Sequence, residues 1–301
     1  MLARVWGAIL LASFAWGTNG VATRAALNDG VPPVAIAAIR AIFATLLLWA
    51  LLRLRGRRIP SSRATWASGI VQGVFQLSVP FVVFTLAYQN ASAGFVGLFA
   101  ALIPLGTALA AHFMLPDEPL HLAKVGGLLV AFIGVGLLLL SGDSGLEEGG
   151  RPLVAAGLSV VSVTSISYAG VYAKRHSDRF DPLELTFMQF TIGVFVIGSV
   201  MLVFEGLPGT ISAWGWMLLV YMSVVGSVLP FLLYFWLIQQ VSVTKASLVG
   251  YIVPLISLFA GILLLDERLQ VGLGVGGMMI LAGVILTDRS ERERIPTVPA
   301  P

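Results

Sequence analysis

Cysteine is absent from the 301-residue sequence, which excludes disulfide bonds, zinc–thiolate sites and iron–sulfur clusters. Charge is scarce as well: charged residues make up 11% of the chain, whereas a soluble domain carries roughly 25%. Hydrophobic residues account for 57%, and the mean hydropathy is +0.93. This composition excludes an ordinary soluble domain and predicts a protein that lies mostly in a lipid bilayer.

Enzymatic motifs are missing too. The sequence has no HExxH, no GxSxG and no P-loop. All 15 Asp and Glu residues fall in predicted loops, at span ends or in the tail, and the 3 His residues lie near span ends. We therefore predict a protein that is not an enzyme and holds no metal or cofactor. Proton and sodium sites usually use buried carboxylates, so the sequence offers no obvious ion-coupling residue.

Long apolar runs fill nearly the whole chain, and a bilayer-spanning helix needs about 20 such residues. We predict ten spans with short loops. They are 5–26, 33–52, 66–88, 91–113, 121–141, 152–173, 183–204, 213–238, 243–264 and 269–287. The Gly- and acid-rich segment 142–151 is a predicted linker, and the charged, Pro-rich tail 290–301 is predicted to be disordered.

The distribution of Lys and Arg predicts the orientation. With the N-terminus in the cytoplasm, 14 of the 18 Lys and Arg residues lie on the cytoplasmic side and 3 lie outside. Cytoplasmic loops are enriched in Lys and Arg, so both termini are predicted to be cytoplasmic. The net charge of +3 is then a consequence of topology, and we predict no nucleic-acid partner.

The chain repeats itself. Val79 to Leu105 overlies Leu229 to Leu255 at an offset of 150, so that two prolines of the first stretch meet two of the second. Five spans per half is an odd number, which forces the second half to enter the membrane inverted. We predict an all-α integral membrane protein of ten transmembrane helices in two inverted five-helix repeats, 1–141 and 152–289.

Polar side chains inside apolar helices are the candidate substrate site, because hydrocarbon cannot solvate an amide. Asn19 and Gln76 are favoured to face a cavity, whereas the serines could equally bond their own helices. The predicted substrate-binding residues are Trp16, Asn19, Gln72, Gln76, Phe95, Ser162, Ser165, Tyr168, Ser227 and Tyr251.

Four prolines and one arginine complete the set of candidates. Pro80, Pro104, Pro230 and Pro254 each remove a helical hydrogen bond, and their paired placement favours gating over static kinks. Arg40 is the one fixed charge inside a span. It is predicted to be mainly structural, because Pro33 to Arg40 has the same spacing as Pro182 to Gln189; the alternative is a contact with a substrate carboxylate.

These features resemble the drug/metabolite transporter superfamily, in particular its EamA-type ten-helix branch. The resemblance rests on "ALIPLGTALAAHFMLPDEPL" (Ala101 to Leu120) and its echo "YIVPLISLFAGILLLDERL" (Tyr251 to Leu269). The opening "ILLASFAWGTNGVATRAAL" (Ile9 to Leu27) is similar to the branch members that export aromatic amino acids and methyl viologen. The resemblance implies a central cavity lined by helices 1, 3, 4, 6, 8 and 9, and transport by alternating access.

The expected function is export of aromatic and other neutral amino acids and related metabolites across a bacterial inner membrane. The expected partners are the small-molecule substrate and the lipid bilayer, with the chain a monomer or weak dimer. Alternatives are a nucleotide-sugar or cationic-drug carrier of the same superfamily, or a non-transporting membrane scaffold. The absence of an anionic counter-charge weakens the drug alternative, and symmetric prolines weaken the scaffold.

Overall fold

The computed structural model describes residues 2–59, 62–115, 122–141, 146, 149–241, 243–246, 249–267 and 271–292. The α-helices of the first half are α1 (Leu2–Asn28), α2 (Pro33–Leu54), α3 (Arg63–Val71), α4 (Val79–Asn90), α5 (Ala93–Ala100), α6 (Ile103–Met114) and α7 (Leu122–Leu140). Those of the second half are α8 (Pro152–Arg175), α9 (Pro182–Phe204), α10 (Ala213–Ser223), α11 (Leu229–Gln240), α12 (Val243–Ala246), α13 (Val249–Leu265) and α14 (Val271–Arg292).

Seven helical segments of the described chain are long and apolar enough to cross a bilayer. They are Ala3–Asn28, Pro33–Leu54, Arg63–Asn90, Ala93–Met114, Pro152–Arg175, Pro182–Phe204 and Ala213–Gln240. Three shorter apolar helices are Val125–Leu137, Ile252–Leu265 and Gly274–Gly283. The prediction of a multi-pass helical membrane protein is confirmed, whereas the count of ten spans and the inverted repeat stay predictions.

Helix boundaries follow from local chemistry. Pro33, Pro152 and Pro182 stand in the first turns of their helices, where a missing N–H leaves no bond unmade. The Ser92 hydroxyl caps α5 by accepting from the Phe95 N–H at 3.0 Å. The turn after α1 closes through Gly30, whose φ of 86° is accessible mainly to glycine.

Two helices widen before their prolines. The α3–α4 rod contains a π-helical segment, Gln72–Ser78, and the α10–α11 rod contains another, Val224–Val228. Ser78 Oγ donates to the carbonyl of Gly73 at 2.6 Å, five residues back, just ahead of Pro80. In the same way Ser227 Oγ donates to the carbonyl of Met222 at 2.8 Å, ahead of Pro230. A proline ring clashes with the carbonyl four residues back and removes its usual hydrogen bond, and a wider π-helical turn before the proline accommodates this change.

The α4 and α11 rods end in matching contacts, which we call the cation clasps. Arg24 Nη1 donates to the carbonyl of Tyr88 at 2.6 Å, and Lys174 Nζ donates to the carbonyl of Ile238 at 2.9 Å. Lys174 Nζ also donates to the carbonyl of Val241 at 2.9 Å. Arg24 and Lys174 are 150 positions apart, as are Tyr88 and Ile238. Both cations satisfy carbonyls that a helix C-terminus leaves without intrahelical donors.

Helices α7 and α14 pack backbone against backbone. A Cβ added to Gly283 would lie 2.5 Å from the amide nitrogen of Ala131, and one added to Gly134 would lie 2.7 Å from that of Ile280. Side chains at either glycine would force the helices apart, which explains why small residues recur along this seam. The main buried core lies elsewhere, chiefly among α1, α2, α9 and α11.

Candidate functional site

A cavity of about 140 Å³ lies between the two halves of the chain. Its wall comes from α1, α2, α4, α5, α6, α8, α11, α12 and α13, and from both π-helical segments. Prolines and π-helical turns are common sites of helix bends, and Gln76 and Pro80 of one rod and Gly226 of the other line the cavity.

One side of the cavity is aromatic. Trp16 meets Phe231 edge-on, with ring centroids 5.5 Å apart, and lies 5.8 Å from Tyr234. Phe81 lies 6.2 Å from Phe231 and joins the same cluster. These rings come from α1, α4 and α11, so both halves contribute to one surface suited to a flat apolar group.

The wall also carries amides and one guanidinium, close to these rings. The Oδ1 of Asn19, the Oε1 of Gln76 and the Nε of Arg40 are buried and have no hydrogen-bond partner among the described residues. The hydroxyls of Thr23 and Thr85 also line the cavity, but each donates to a carbonyl of its own helix. Since buried polar atoms are nearly always paired in native proteins, this wall is incomplete without a further polar group.

Arg40 reaches across from α2 to the second half. Only 3% of its surface is exposed. Its Nη2 donates to Ser227 Oγ at 3.0 Å and points to the carbonyl of Gly226 at 3.4 Å. Its Cζ lies 4.1 Å from the centroid of the Phe81 ring, a cation–π contact. All of these partners are neutral, so the guanidinium brings an uncompensated positive charge to the cavity.

Five of the predicted site residues line this cavity: Trp16, Asn19, Arg40, Gln76 and Pro80. Gln72, one turn before Gln76, turns away and donates to the carbonyl of Ala169 at 2.9 Å. Gln76 therefore lines the cavity and Gln72 does not, although both lie in the π-helical segment Gln72–Ser78.

Three predicted serines bond backbone outside the cavity lining. Ser162 Oγ donates to the carbonyl of Leu158 at 3.2 Å within α8, and Ser165 Oγ donates to the carbonyl of Phe75 at 2.6 Å. Ser227 is buried behind the cavity wall as a partner of Arg40. Ser162 bonds its own helix, the alternative that the sequence left open for serine, whereas Ser165 and Ser227 also connect neighbouring elements.

The predicted aromatic residues divide in the same way. Phe95 is fully buried and packs on Phe99 with ring centroids 5.4 Å apart. Tyr168 is 38% exposed and contacts Phe75 edge-on at 5.2 Å, on the outer surface of α8 rather than in the cavity. The side chain of Tyr251 lies outside the described residues.

The four prolines do not stand in equivalent surroundings. Pro80 and Pro230 each follow a π-helical segment in the first turn of the next helix. Pro104 stands in the first turn of α6, after a break that separates α6 from α5. Pro254, its counterpart at the repeat offset, lies inside the continuous helix α13. The two halves therefore differ at this pair.

Several residues that line the cavity were not predicted from the sequence to bind substrate. Phe81, Phe84, Thr85 and Tyr88 form one stripe of α4 at helical spacing. This stripe was detectable in principle, since Thr85 is polar within an apolar run. Gly226 also lines the cavity, and a Cβ there would collide with the amide oxygen of Asn19. Among the described residues, no group of three or more His, Asp or Glu could hold a metal ion.

The sequence model of the EamA-like transporter family matches residues 5–140 and 153–288, which together are most of the chain. The chain belongs to the EamA-like transporter family. Its family model thus covers each half of the protein separately, on either side of the predicted linker.

Three curated relatives, two of them named as transporters, match along most of their length. The uncharacterized transporter YoaV of Bacillus subtilis is 22% identical, over 95% of this chain and 97% of the relative. Protein PecM of Dickeya dadantii is 28% identical, over 91% and 88%. The uncharacterized inner membrane transporter YedA of Escherichia coli K12 is 26% identical, over 94% and 90%.

A solved crystal structure has the same fold. Its TM-score against this EamA-like transporter is 0.69 at 19% sequence identity, with 97% of this chain and 98% of that chain covered. At this identity the likeness concerns the fold alone.

Proposed function

We propose that this EamA-like transporter moves amino acids, aromatic and other neutral ones, together with related metabolites, by alternating access. The observation that carries the proposal is the cavity between the halves, whose wall combines aromatic rings with unpartnered polar atoms. An amino acid with an apolar side chain matches both kinds of surface.

The size of the cavity favours a small metabolite. Its volume of about 140 Å³ lies below the roughly 300–1,000 Å³ typical of drug-sized ligand sites. A nucleotide sugar is larger than most drugs, so this size disfavours that alternative. A cationic drug is disfavoured by Arg40, the charged side chain among those that line the cavity.

Alternating access needs two states of similar energy, which inverted repeats supply. Two features support such repeats here: the family model matches each half, and the cation clasps recur at the repeat offset. A bacterial cytoplasmic membrane is supported by the similarity to YedA, which is named as an inner membrane transporter. The direction we propose is export.

The test is uptake of labelled phenylalanine by proteoliposomes that contain the purified protein and an internal excess of unlabelled phenylalanine. We expect transient accumulation of label above the level in protein-free liposomes. The matched control is Gln76→Ala, which removes an amide at the cavity wall and should raise the half-saturating concentration with little change in maximal rate. Equal counterflow with and without protein, for phenylalanine and for a panel of other neutral amino acids, would disprove the proposal.

A further inference from the structure

Arg40 is a buried cation with no carboxylate partner among the described residues. The ion pairs found in the described chain belong to Arg57, which bonds Asp181 at 2.8 Å and Glu184 at 3.5 Å on the surface. No described carboxylate pairs with Arg40, whose hydrogen bonds go to a hydroxyl and a carbonyl. A charge in a membrane interior is costly unless it is compensated, so its retention needs a reason.

Helix packing alone does not supply that reason. Gln189 stands at the corresponding position of the second half, at the same distance from the proline that begins its helix. It is fully buried and neutral, and it lies outside the cavity wall. One helix of the pair therefore packs at this position without any charge. Arg40 differs from Gln189 in bringing a positive charge to the cavity.

The cavity places that charge where a ligand would meet it. Arg40 lines the wall together with Asn19 and Gln76, and its Nε has no partner in the described chain. The rings of Trp16 and Phe231 lie in the same cavity. The arrangement offers a cationic donor and amides at one part of the wall, and an apolar surface at another.

Resting on the function proposed above, we propose that Arg40 is the counter-charge for a substrate carboxylate. The site then accepts small carboxylates with a flat apolar body, as anions or zwitterions, and discriminates against amines that lack a carboxylate. Guanidinium and carboxylate form charge-assisted hydrogen bonds of about twice the strength of neutral ones. An amine without a carboxylate would instead set two positive charges close together in a poorly solvated space.

Three ligands that share a phenylethyl body test this: hydrocinnamate, an anion; phenylalanine, a zwitterion; and phenethylamine, a cation. Equilibrium binding to the purified full chain is measured for each at neutral pH. We expect hydrocinnamate and phenylalanine to bind at least about tenfold more tightly than phenethylamine, as a charge-assisted bond implies. Phenethylamine binding as tightly as hydrocinnamate would overturn the proposal on the wild-type protein alone.

Variants separate a binding role from a structural one. Arg40→Gln keeps a donor for Ser227 but removes the charge, and Arg40→Lys keeps the charge but loses the planar fork. Arg40→Gln should abolish most of the preference for hydrocinnamate over phenethylamine, and Arg40→Lys should retain part of it. The control is Gln189→Met, which alters the corresponding helix position and should leave the preference unchanged.

A purely structural Arg40 predicts a different pattern. In that case Arg40→Gln would weaken the binding of all three ligands by the same factor and would lower thermal stability in parallel. The proposal would then be wrong. If Arg40→Gln does not fold, the wild-type comparison of the three ligands still decides.

Transport and binding distinguish this proposal from the one on which it rests. Charge-selective binding without counterflow would leave the carboxylate site standing and overturn the transport function. Counterflow of phenylalanine with equal binding of all three ligands would do the reverse. Wild-type protein that binds none of the three ligands would overturn the carboxylate site.

Discussion

At the scale of single residues, the clearest anomaly is an amide that bonds nothing. Gln189 has no exposed surface, and neither its Oε1 nor its Nε2 has a partner among the described residues. Gln72 is equally buried, but its Nε2 donates to the carbonyl of Ala169 at 2.9 Å. A change to methionine would therefore remove a hydrogen bond at Gln72 but only an unpaired amide at Gln189.

Gln189→Met should stabilise the protein, because an unpaired buried polar group costs about 1–3 kcal/mol. Each kcal/mol corresponds to roughly 2–4 °C in Tm for a chain of a few hundred residues. Thermal unfolding in detergent, followed by intrinsic fluorescence, measures the shift. Gln72→Met is the matched comparison and should lower Tm, since it removes the buried hydrogen bond from Nε2 to the Ala169 carbonyl. Equal losses in both variants would mean that Gln189 has a partner after all.

Glu267 gives a second residue-scale prediction, this time in pH. Its carboxylate accepts from the backbone N–H of Ala93 at 2.7 Å and of Gly94 at 3.3 Å, beyond the end of α13. Burial nevertheless raises the pKa of Glu267 above its ordinary value, outweighing those bonds and the nearby Arg24 charge. The folded chain therefore binds this proton more tightly than the unfolded chain does.

The sign of the stability effect follows from this difference. The contribution of the raised pKa is fully present below the ordinary value of about 4.3, and it is lost as pH rises through the raised pKa. Glu267→Gln cannot ionise, so the Tm of the variant should gain on wild type between mildly acidic and neutral pH. Glu205→Gln is the control, because the Glu205 carboxylate likewise accepts two backbone hydrogen bonds, from the N–H groups of Val34 and Ala35. A gap between Glu267→Gln and wild type that stays constant across this range would contradict the prediction.

At the scale of helices, Pro254 and Pro104 should behave differently. Pro254 lies inside α13, so Pro254→Ala restores a backbone bond within an existing helix and stiffens it. We expect a lower maximal transport rate with the Kd for phenylalanine changed less than about twofold, because gate motion sets the rate. Pro104→Ala is the control, since a first-turn N–H has no intrahelical partner to gain. A normal transport rate in Pro254→Ala would mean that Pro254 serves helix packing and not gating.

The sequence determined the helices better than it determined their faces. Apolar length and proline placement predicted most helical segments, because both depend on local composition. The faces were harder to predict: Gln72 and Gln76 are four residues apart, yet Gln76 lines the cavity and Gln72 bonds the carbonyl of Ala169. The contact of Arg40 with Ser227 was also beyond reach, since it joins positions 187 residues apart. Composition along the chain carries no signal for a pairing at that distance.

At the scale of the whole molecule, orientation in the membrane is the first quantity to measure. The chain has no cysteine, so single cysteines can be introduced without background. Ser62 and Gly209 are exposed, and they lie in loops predicted to face opposite sides. An impermeant thiol reagent applied to intact cells should label Gly209→Cys, and it should label Ser62→Cys after the cells are broken. The opposite pattern would reverse the predicted topology.

The cation clasps are alike in kind but unequal in strength. Arg24 holds one carbonyl and Lys174 holds two. If each clasp latches the gate at its own end, the extra bond, worth about 1.5–3 kcal/mol for a charged donor, gives the empty carrier a resting bias towards closure at the Lys174 end. Without substrate, such a carrier would rest mainly in the conformation whose site faces away from the cytoplasm. Lys174→Met should remove this bias. The reporter is a cysteine in place of Val253, in the cavity wall. An impermeant thiol reagent added outside should label this cysteine more slowly when Lys174→Met is also present. Unchanged labelling would mean that the clasps do not set the idle state.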